Sequence, residues 1–282
     1  MTFSGDAAMN VLVELTDAGH RYPGAPKRAE AIERQAKLLR DAGALVSLQP
    51  FKAASPIDNR TYSFNNIIAE FFPERRRRVL LGTHFDTRSV GDLDEDPALR
   101  MIPIPGANDG TSGVAVLIEL ARALPAILKG KTWGVDIVLF DAEDLGTKRH
   151  LDGFSLGAKY FAKTLSKRAV ENYVAAIVVD MVGERDLILK REAYSMQRAA
   201  ALTDTIWKYG RARAPSTFSR ARGGGIIDDH LPLLEVGIPA TLLIDLDYPQ
   251  WHTASDLAVN CSPKSLDIVG DTLEAYLRGL RL

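Results

Sequence analysis

The fold of this chain is decided by the stretch VDIVLFDAEDLG, residues 135–146. Its first half is a nearly unbroken apolar run, which is typical of a strand buried on both faces of a sheet. Three carboxylates follow within four residues, at Asp141, Glu143 and Asp144. A carboxylate is costly to bury without a partner, and ligands of α/β sheets usually bind at the carboxyl ends of strands. The stretch therefore indicates either a binding site or a solvated acidic loop.

Apolar strand patterns and amphipathic helix patterns alternate along the rest of the chain. This alternation predicts an α/β fold in which a mostly parallel sheet lies between helices. No linker rich in Gly, Ser or Pro separates two halves, so residues 1–282 are interpreted as a single domain. The predicted strands are 45–51, 66–71, 79–83, 135–140, 173–179 and 241–246, and the predicted helices are 8–18, 26–42, 114–124, 155–165, 195–212 and 263–280.

Four stretches need separate interpretation. The basic run Arg75 to Arg78 is predicted to be a solvated turn, with a recognition patch as the alternative. Residues 88–105 form a long irregular segment, and loops of this length are usually functional or mobile. Residues 186–190 predict a short edge strand, and residues 213–225 predict a basic, Gly-rich loop.

Composition excludes several classes of protein. The chain has 35 basic and 36 acidic side chains, so nothing indicates a nucleic-acid or membrane surface. No run of about 18 apolar residues predicts a membrane span. The first residues do not have the pattern of a signal peptide, although a signal could have been removed; a soluble protein is expected, either cytoplasmic or exported. The single cysteine, Cys261, excludes an intramolecular disulfide.

Five side chains suitable as metal ligands occur at comparable places in the predicted fold. His84, Asp144 and Asp180 each lie at or just past the end of a strand, Asp109 lies before a helix, and His252 follows the last strand. If these strands are neighbours, their carboxyl ends meet at one edge. Imidazole and carboxylate ligands without thiolate favour a catalytic zinc site over a structural one. Each residue also has a simpler interpretation, such as a helix cap or a turn residue.

Several motifs resemble those of the zinc-dependent aminopeptidases and, within the same fold, the zinc-dependent glutaminyl cyclases. They occur in the same order as in those families and cover nearly the whole chain. The resemblance implies a three-layer α/β/α sandwich around a mixed sheet. The motifs are THFDT (83–87), GANDGTSG (106–113), DAEDLG (141–146), VVDMVG (178–183) and WHT (251–253), with RYPGAP (21–26) resembling the turn after the first helix of the family.

The resemblance also assigns roles to residues. It implies that a zinc ion is bound by Asp109, Asp144 and His252, and that His84 and Asp180 are ligands of a second zinc ion in the aminopeptidases. Glu143 matches the general base or proton shuttle, and a free carboxylate beside a metal ligand suits that role. The remaining matches are Asp228, which would share a proton with Glu143 and Asp180, and Trp251, which would form a wall of the substrate pocket. Independently of the resemblance, the position of Asp86 two residues past His84 predicts that its carboxylate orients the imidazole.

Two enzymatic hypotheses follow, with a third from another class. A glutaminyl cyclase, an acyltransferase, would use one zinc ion to convert an N-terminal glutamine of a peptide to pyroglutamate with release of ammonia. An aminopeptidase would use two zinc ions to hydrolyse N-terminal residues. The Glu143–Asp144 pair, the segment IIDDHLPLLEVGIPA (226–240) and the pair Trp251–His252 favour the cyclase. An inactive metal-binding or protein-binding relative is the third hypothesis, and the sequence leaves the oligomeric state open.

Overall fold

The computed structural model describes residues 2–282. Its helices and strands, in chain order, are α1 (Gly5–Asp17), α2 (Arg28–Asp41), β1 (Leu45–Ala54), β2 (Thr61–Phe71), β3 (Arg77–His84), α3 (Ser112–Ile127), β4 (Trp133–Phe140), α4 (Leu156–Thr164), α5 (Lys167–Asn172), β5 (Tyr173–Asp180), β6 (Leu189–Arg191), α6 (Ala193–Arg213), β7 (Phe218–Arg222), α7 (His230–Glu235), β8 (Ala240–Ile244) and α8 (Pro263–Gly279). Among these residues, no helix is both long and apolar enough to cross a membrane.

Six strands form one mixed sheet in the order β1-β2-β4-β3-β5-β8. Strands β4, β3, β5 and β8 are parallel neighbours, whereas β2 runs antiparallel to both β1 and β4. The mixed, mostly parallel sheet that the sequence predicts is therefore confirmed. The carboxyl ends of the parallel strands β4, β3, β5 and β8 lie at one edge of the sheet. The candidate ligands at these strand ends can therefore lie close together.

Alternate residues of the central strands enter two different cores. Val135, Ile137 and Leu139 of β4 pack in a core with α1, α2, α3 and α8. Val138 and Phe140 pack in a second core with residues of α4, α6 and α7. All residues of β4 are buried, because helices cover both faces of the sheet. This is the three-layer α/β/α sandwich that the resemblance implies.

The structure corrects the predictions for residues 186–190 and 213–225. The short strand β6 is not an edge of the main sheet; it pairs with β7 in a separate two-stranded sheet. Strand β7 lies inside the stretch that was predicted to be a loop. The buried Phe218 explains this difference, because its ring packs edge-on against Trp207 at 5.4 Å between centroids and anchors the strand to α6.

The basic run 75–78 is solvated only in part: Arg76 and Arg77 are exposed, whereas Arg75 and Arg78 are not. Arg78 is buried, and its Nε lies 2.7 Å from Oδ2 of Asp136 in the middle of β4. Arg75 lies over the ring of Phe72 at 3.7 Å and donates a hydrogen bond of 2.9 Å to the carbonyl of Leu128. A strand covered on both faces cannot leave Asp136 unpaired, so one arginine of the run is drawn into the core.

The pair Arg78–Asp136 gives a stability prediction. Asp136→Ala leaves a buried guanidinium without its carboxylate, and we expect it to lower the free energy of unfolding by about 3–5 kcal/mol. Asp41→Ala, which breaks the exposed pair Lys37–Asp41, should cost less than about 1 kcal/mol and is the control. Urea denaturation followed by circular dichroism measures both values. Equal losses in the two variants would contradict the structural role given to Asp136.

Candidate active site

The five candidate ligands converge at the carboxyl edge of the parallel strands. His84 and Asp180 are the last residues of β3 and β5, and Asp144 follows β4. Asp109 precedes α3, and His252 lies in the loop after β8. All five are buried. They form two groups that share Asp109, and the ligand atoms within each group lie within 4.8 Å of one another. The His84 group is His84, Asp109 and Asp180, and the His252 group is Asp109, Asp144 and His252.

The two groups differ in which of their polar atoms have hydrogen-bond partners. Nε2 of His84 lies 3.0 Å from Oδ1 of Asp180 and 3.2 Å from Oδ1 of Asp109. In the His252 group, Nε2 of His252 lies 3.3 Å from Oδ1 of Asp144 and 3.7 Å from Oδ2 of Asp109. Within residues 2–282, Oδ2 of Asp109 and Oδ2 of Asp144 are buried without a hydrogen-bond partner. Buried, unpartnered carboxylate oxygens beside an imidazole nitrogen fit a zinc ion.

Asp86 has a different contact from the one predicted. Its Oδ1 lies 3.5 Å from Nδ1 of His84, which is too long for a hydrogen bond, and that nitrogen has no partner among residues 2–282. Instead, Oδ1 accepts the N–H of Glu143 at 3.0 Å and Oδ2 accepts the N–H of Asp144 at 3.2 Å. Asp86 therefore fixes the turn that carries the acidic pair.

Sequence reasoning missed Asp256, which performs the same task for Asp109. Its carboxylate accepts the N–H groups of Asn108 at 2.8 Å and Asp109 at 3.1 Å, and the hydroxyl of Tyr248 at 2.9 Å. Burial and the nearby Asp109 raise the pKa of Asp256 to about 7. A lone aspartate four residues after His252 gives no local signal for this role, because Asn108 and Asp109 lie about 150 positions earlier in the chain.

Two buried arginines from the N-terminal region support the strand ends. Arg21 donates to the carbonyls of Phe85 at 2.7 Å and Gly106 at 3.2 Å, so it ties two of the motifs together. Arg28 pairs with Asp141. Asp141 also accepts the backbone N–H of Ala142 at 2.8 Å, which identifies it as a support of the turn after β4.

Left-handed backbone conformations cluster at the site. Ala142, between Asp141 and Glu143, has φ 57°; Met181, directly after Asp180, has φ 45°; and His252 itself has φ 57°. Non-glycine residues seldom adopt positive φ, and such strain is retained where the surroundings enforce it. The turns that present the acids and the imidazole are therefore held by their hydrogen bonds.

A cavity of about 260 Å³ opens onto the acidic groups. Glu143, Asp144, Asp109, Asp180, Asp228 and His252 contribute to its walls, together with apolar side chains that include Phe154, Ile226, Ile244 and Trp251. The ring of Trp251 lies 4.3 Å from that of His252, measured between centroids. The cavity therefore combines a charged region with apolar walls, as small-molecule sites usually do.

Glu143 and Asp228 are the acids in this cavity that belong to neither ligand group. Glu143 lies next to Asp144 in the chain. Burial raises its pKa well above the usual carboxyl range; His84 opposes this shift, and Asp228 and Asp229 reinforce it. Burial likewise raises the pKa of Asp228, with a further contribution from Asp180. Sequence reasoning missed Ser155, whose hydroxyl donates to Oε1 of Glu143 at 3.1 Å and whose N–H donates to the carbonyl of Glu143 at 2.9 Å.

The sandwich and its ligand groups define a protein of the zinc exopeptidase-like class. The chain belongs to peptidase family M28, which matches residues 66–277. It is 33% identical to the structure of the Porphyromonas gingivalis glutaminyl cyclase, with a TM-score of 0.92 over 98% of both chains. It is 30% identical to a Zn-dependent exopeptidase from Parabacteroides distasonis, with a TM-score of 0.92 over 99% of both chains. It is 24% identical to the glutaminyl-peptide cyclotransferase of Bos taurus, over 91% of this chain and 76% of that protein.

The unpartnered oxygens of the His252 group give a prediction on metal binding. Zinc added to about 100 times its dissociation constant should raise the free energy of unfolding by about 2.7 kcal/mol. The same concentration of Mg²⁺ should have little effect, because Mg²⁺ prefers an octahedral shell of oxygen ligands. His252→Ala should remove most of the zinc response. Urea denaturation with and without each ion measures this, and a wild-type midpoint that does not respond to zinc would contradict the fit.

Proposed function

We propose that this protein is a glutaminyl-peptide cyclotransferase that converts an N-terminal glutamine to pyroglutamate and releases ammonia. The observation that carries the proposal is the position of Glu143, a buried acid that lines a small, partly apolar cavity beside the His252 group. The similarity to the glutaminyl cyclase of Porphyromonas gingivalis and to the glutaminyl-peptide cyclotransferase of Bos taurus supports the same reaction. The substrate is a peptide with a free N-terminus.

Asp109, Asp144 and His252 would hold one zinc ion. The buried oxygens of Asp109 and Asp144 that lack a hydrogen-bond partner support this choice, as does the direct contact of His84 with Asp180 in the other group. When bound there, the ion supplies a positive charge that polarises the side-chain amide of the substrate glutamine.

Glu143 would transfer the proton that the reaction moves. The α-amine of the substrate forms a bond to the side-chain carbonyl carbon, and Glu143 takes a proton from this nitrogen. The same proton passes to the amide nitrogen as its bond to carbon breaks, and ammonia leaves. A carboxylate with a raised pKa is a stronger base than an exposed one, which suits a transfer from an amine.

The other cavity residues would orient the substrate and the shuttle. Trp251 offers an apolar wall against which a glutamine side chain can fold back onto its own amine, and such positioning favours intramolecular attack. Asp228, Asp180 and Glu143 line the same cavity, and a proton shared among them belongs to the proposal. The raised pKa values of Glu143 and Asp228 agree with a proton on that pair.

The alternative function is a two-zinc aminopeptidase. The observation that favours it is the intact His84 group, whose ligand atoms are close enough together to hold a second ion. The exopeptidase relative from Parabacteroides distasonis is consistent with this alternative. The two functions therefore differ in metal count as well as in product.

The shuttle assignment predicts the behaviour of Glu143→Gln. This change keeps the shape of the side chain but removes the base, so turnover of a Gln-initiated peptide should fall by about 10² to 10⁴-fold. Zinc content should stay at the wild-type level. Glu119→Gln on α3, a buried acid outside the cavity, should retain activity and serves as the control. Ammonia release measures turnover, and an active Glu143→Gln enzyme would remove Glu143 from the mechanism.

The choice between the two functions has a direct assay. A Gln-initiated peptide should give ammonia and a pyroglutamyl product, whereas leucine p-nitroanilide should give no nitroaniline. Metal analysis should find one zinc per chain in the wild type and in His84→Ala, and none in His252→Ala. Nitroaniline release without ammonia, together with two zinc ions per wild-type chain, would establish the aminopeptidase instead.

A further inference from the structure

The long irregular segment after β3 carries a buried arginine for which the proposed chemistry has no role. Arg88 has only 1% of its side chain exposed. Its Nη1 donates to Oδ1 of Asp144 at 2.7 Å and to the carbonyl of Asp144 at 3.2 Å. Burial lowers the pKa of Arg88, but Asp144 and Asp92 outweigh burial and hold this pKa above its usual value. A full positive charge therefore lies directly against a proposed zinc ligand.

The guanidinium of Arg88 also forms a bidentate ion pair with a second acid, Asp92. Its Nε and Nη2 lie 2.8 Å and 3.0 Å from the two carboxylate oxygens of Asp92. Oδ1 of Asp92 in turn lies 3.2 Å from Nδ1 of His252. Two neighbouring contacts strengthen this connection, because the N–H of Leu93 donates to the carbonyl of His252 at 3.3 Å and the N–H of Ala254 donates to Asp94 at 3.0 Å.

We infer that Arg88 and Asp92 form a clamp that positions the two unshared ligands of the His252 group and thereby sets its affinity for zinc. This inference rests on the proposed role of Asp144 and His252 as ligands. Arg88 holds Oδ1 of Asp144, which leaves Oδ2 as the oxygen free to bind. Oδ1 of Asp92 lies 3.2 Å from Nδ1 of His252, and Nε2 is the nitrogen that faces Asp144 and Asp109.

The clamp acts on one group only. In residues 2–282, neither Asp109 nor Asp180 forms an ion pair with a lysine or an arginine, and the only cationic partners of these two acids are histidines. The ligands of the His84 group thus contact only each other among charged side chains of residues 2–282 apart from Asp86 and His252, whereas Asp144 and His252 are also held by Arg88 and Asp92. Partners that orient metal ligands in this way typically change metal affinity by about 10- to 100-fold. We expect Arg88 and Asp92 to favour zinc in the His252 group.

Zinc competition against a chromophoric chelator tests the clamp, with His252→Ala as the reference for a lost site. Arg88→Met should weaken zinc binding by about 10- to 100-fold, and Asp92→Asn by about 10-fold. Arg88→Lys keeps the charge but cannot contact both acids with a planar fork, so its affinity should lie between those of the wild type and Arg88→Met. Arg100→Met is the matched control, because Arg100 lies in the same segment and donates to the carbonyl of Asp94 at 2.7 Å. Its zinc affinity should equal that of the wild type.

Two further measurements separate positioning from general damage to the fold. Activity of Asp92→Asn should recover when zinc is raised above its weakened dissociation constant. Nitrogen-15 NMR of the zinc-bound protein should place the His252 proton on Nδ1 in the wild type and show a changed Nδ1 signal in Asp92→Ala. Wild-type zinc affinity in both Asp92→Asn and Arg88→Lys would overturn the clamp. A wild-type protein whose zinc binding does not depend on His252 would instead overturn the proposed zinc site.

Discussion

The structure depends on the burial of several carboxyl groups at one edge of a sheet. Asp109, Glu143, Asp144, Asp180 and Asp228 are all nearly or fully buried around one cavity. Like charges repel strongly where water is excluded, so the cluster is stable only with compensation. Burial raises the pKa of Glu143 and of Asp228, which favours their uncharged forms and lowers the repulsion. Two histidines and one guanidinium supply part of the compensation, and a zinc ion in the His252 group would supply the rest.

The loops that carry these acids are held by other buried charges. Asp86 accepts two backbone N–H groups from the turn after β4, and Asp256 accepts two from the turn before α3. Arg21 donates hydrogen bonds to the carbonyl groups of Phe85, after β3, and Gly106, before α3. Ala142 and His252 keep left-handed backbone conformations because the surrounding hydrogen bonds offset the strain. Preorganised turns of this kind keep the ligands in place before any substrate enters.

The proposed cyclase and the alternative aminopeptidase would differ in whether the His84 group also holds an ion, so the support of each group matters. Each group contains a histidine–carboxylate contact, His84 with Asp180 and His252 with Asp144, but only Asp144 and His252 are also contacted by Arg88 and Asp92. This asymmetry is not visible in the identity of the five ligands. The proposed single ion in the His252 group would agree with this asymmetry, and Glu143 lines the same cavity without belonging to either ligand group.

The sequence by itself determined the sandwich, the parallel strands and the residues that meet at their carboxyl ends. Each of these follows from local apolar periodicity and from motifs, since parallel strands bring equivalent ends together. Only the tertiary structure decided which charges pair: Arg78 with Asp136, Arg88 with Asp144, and Asp256 with the turn at Asp109. A local pattern shows that a polar residue lies in an apolar stretch but not what neutralises it. The partners are more than 50 residues apart, and only the packed strands and loops bring them into contact.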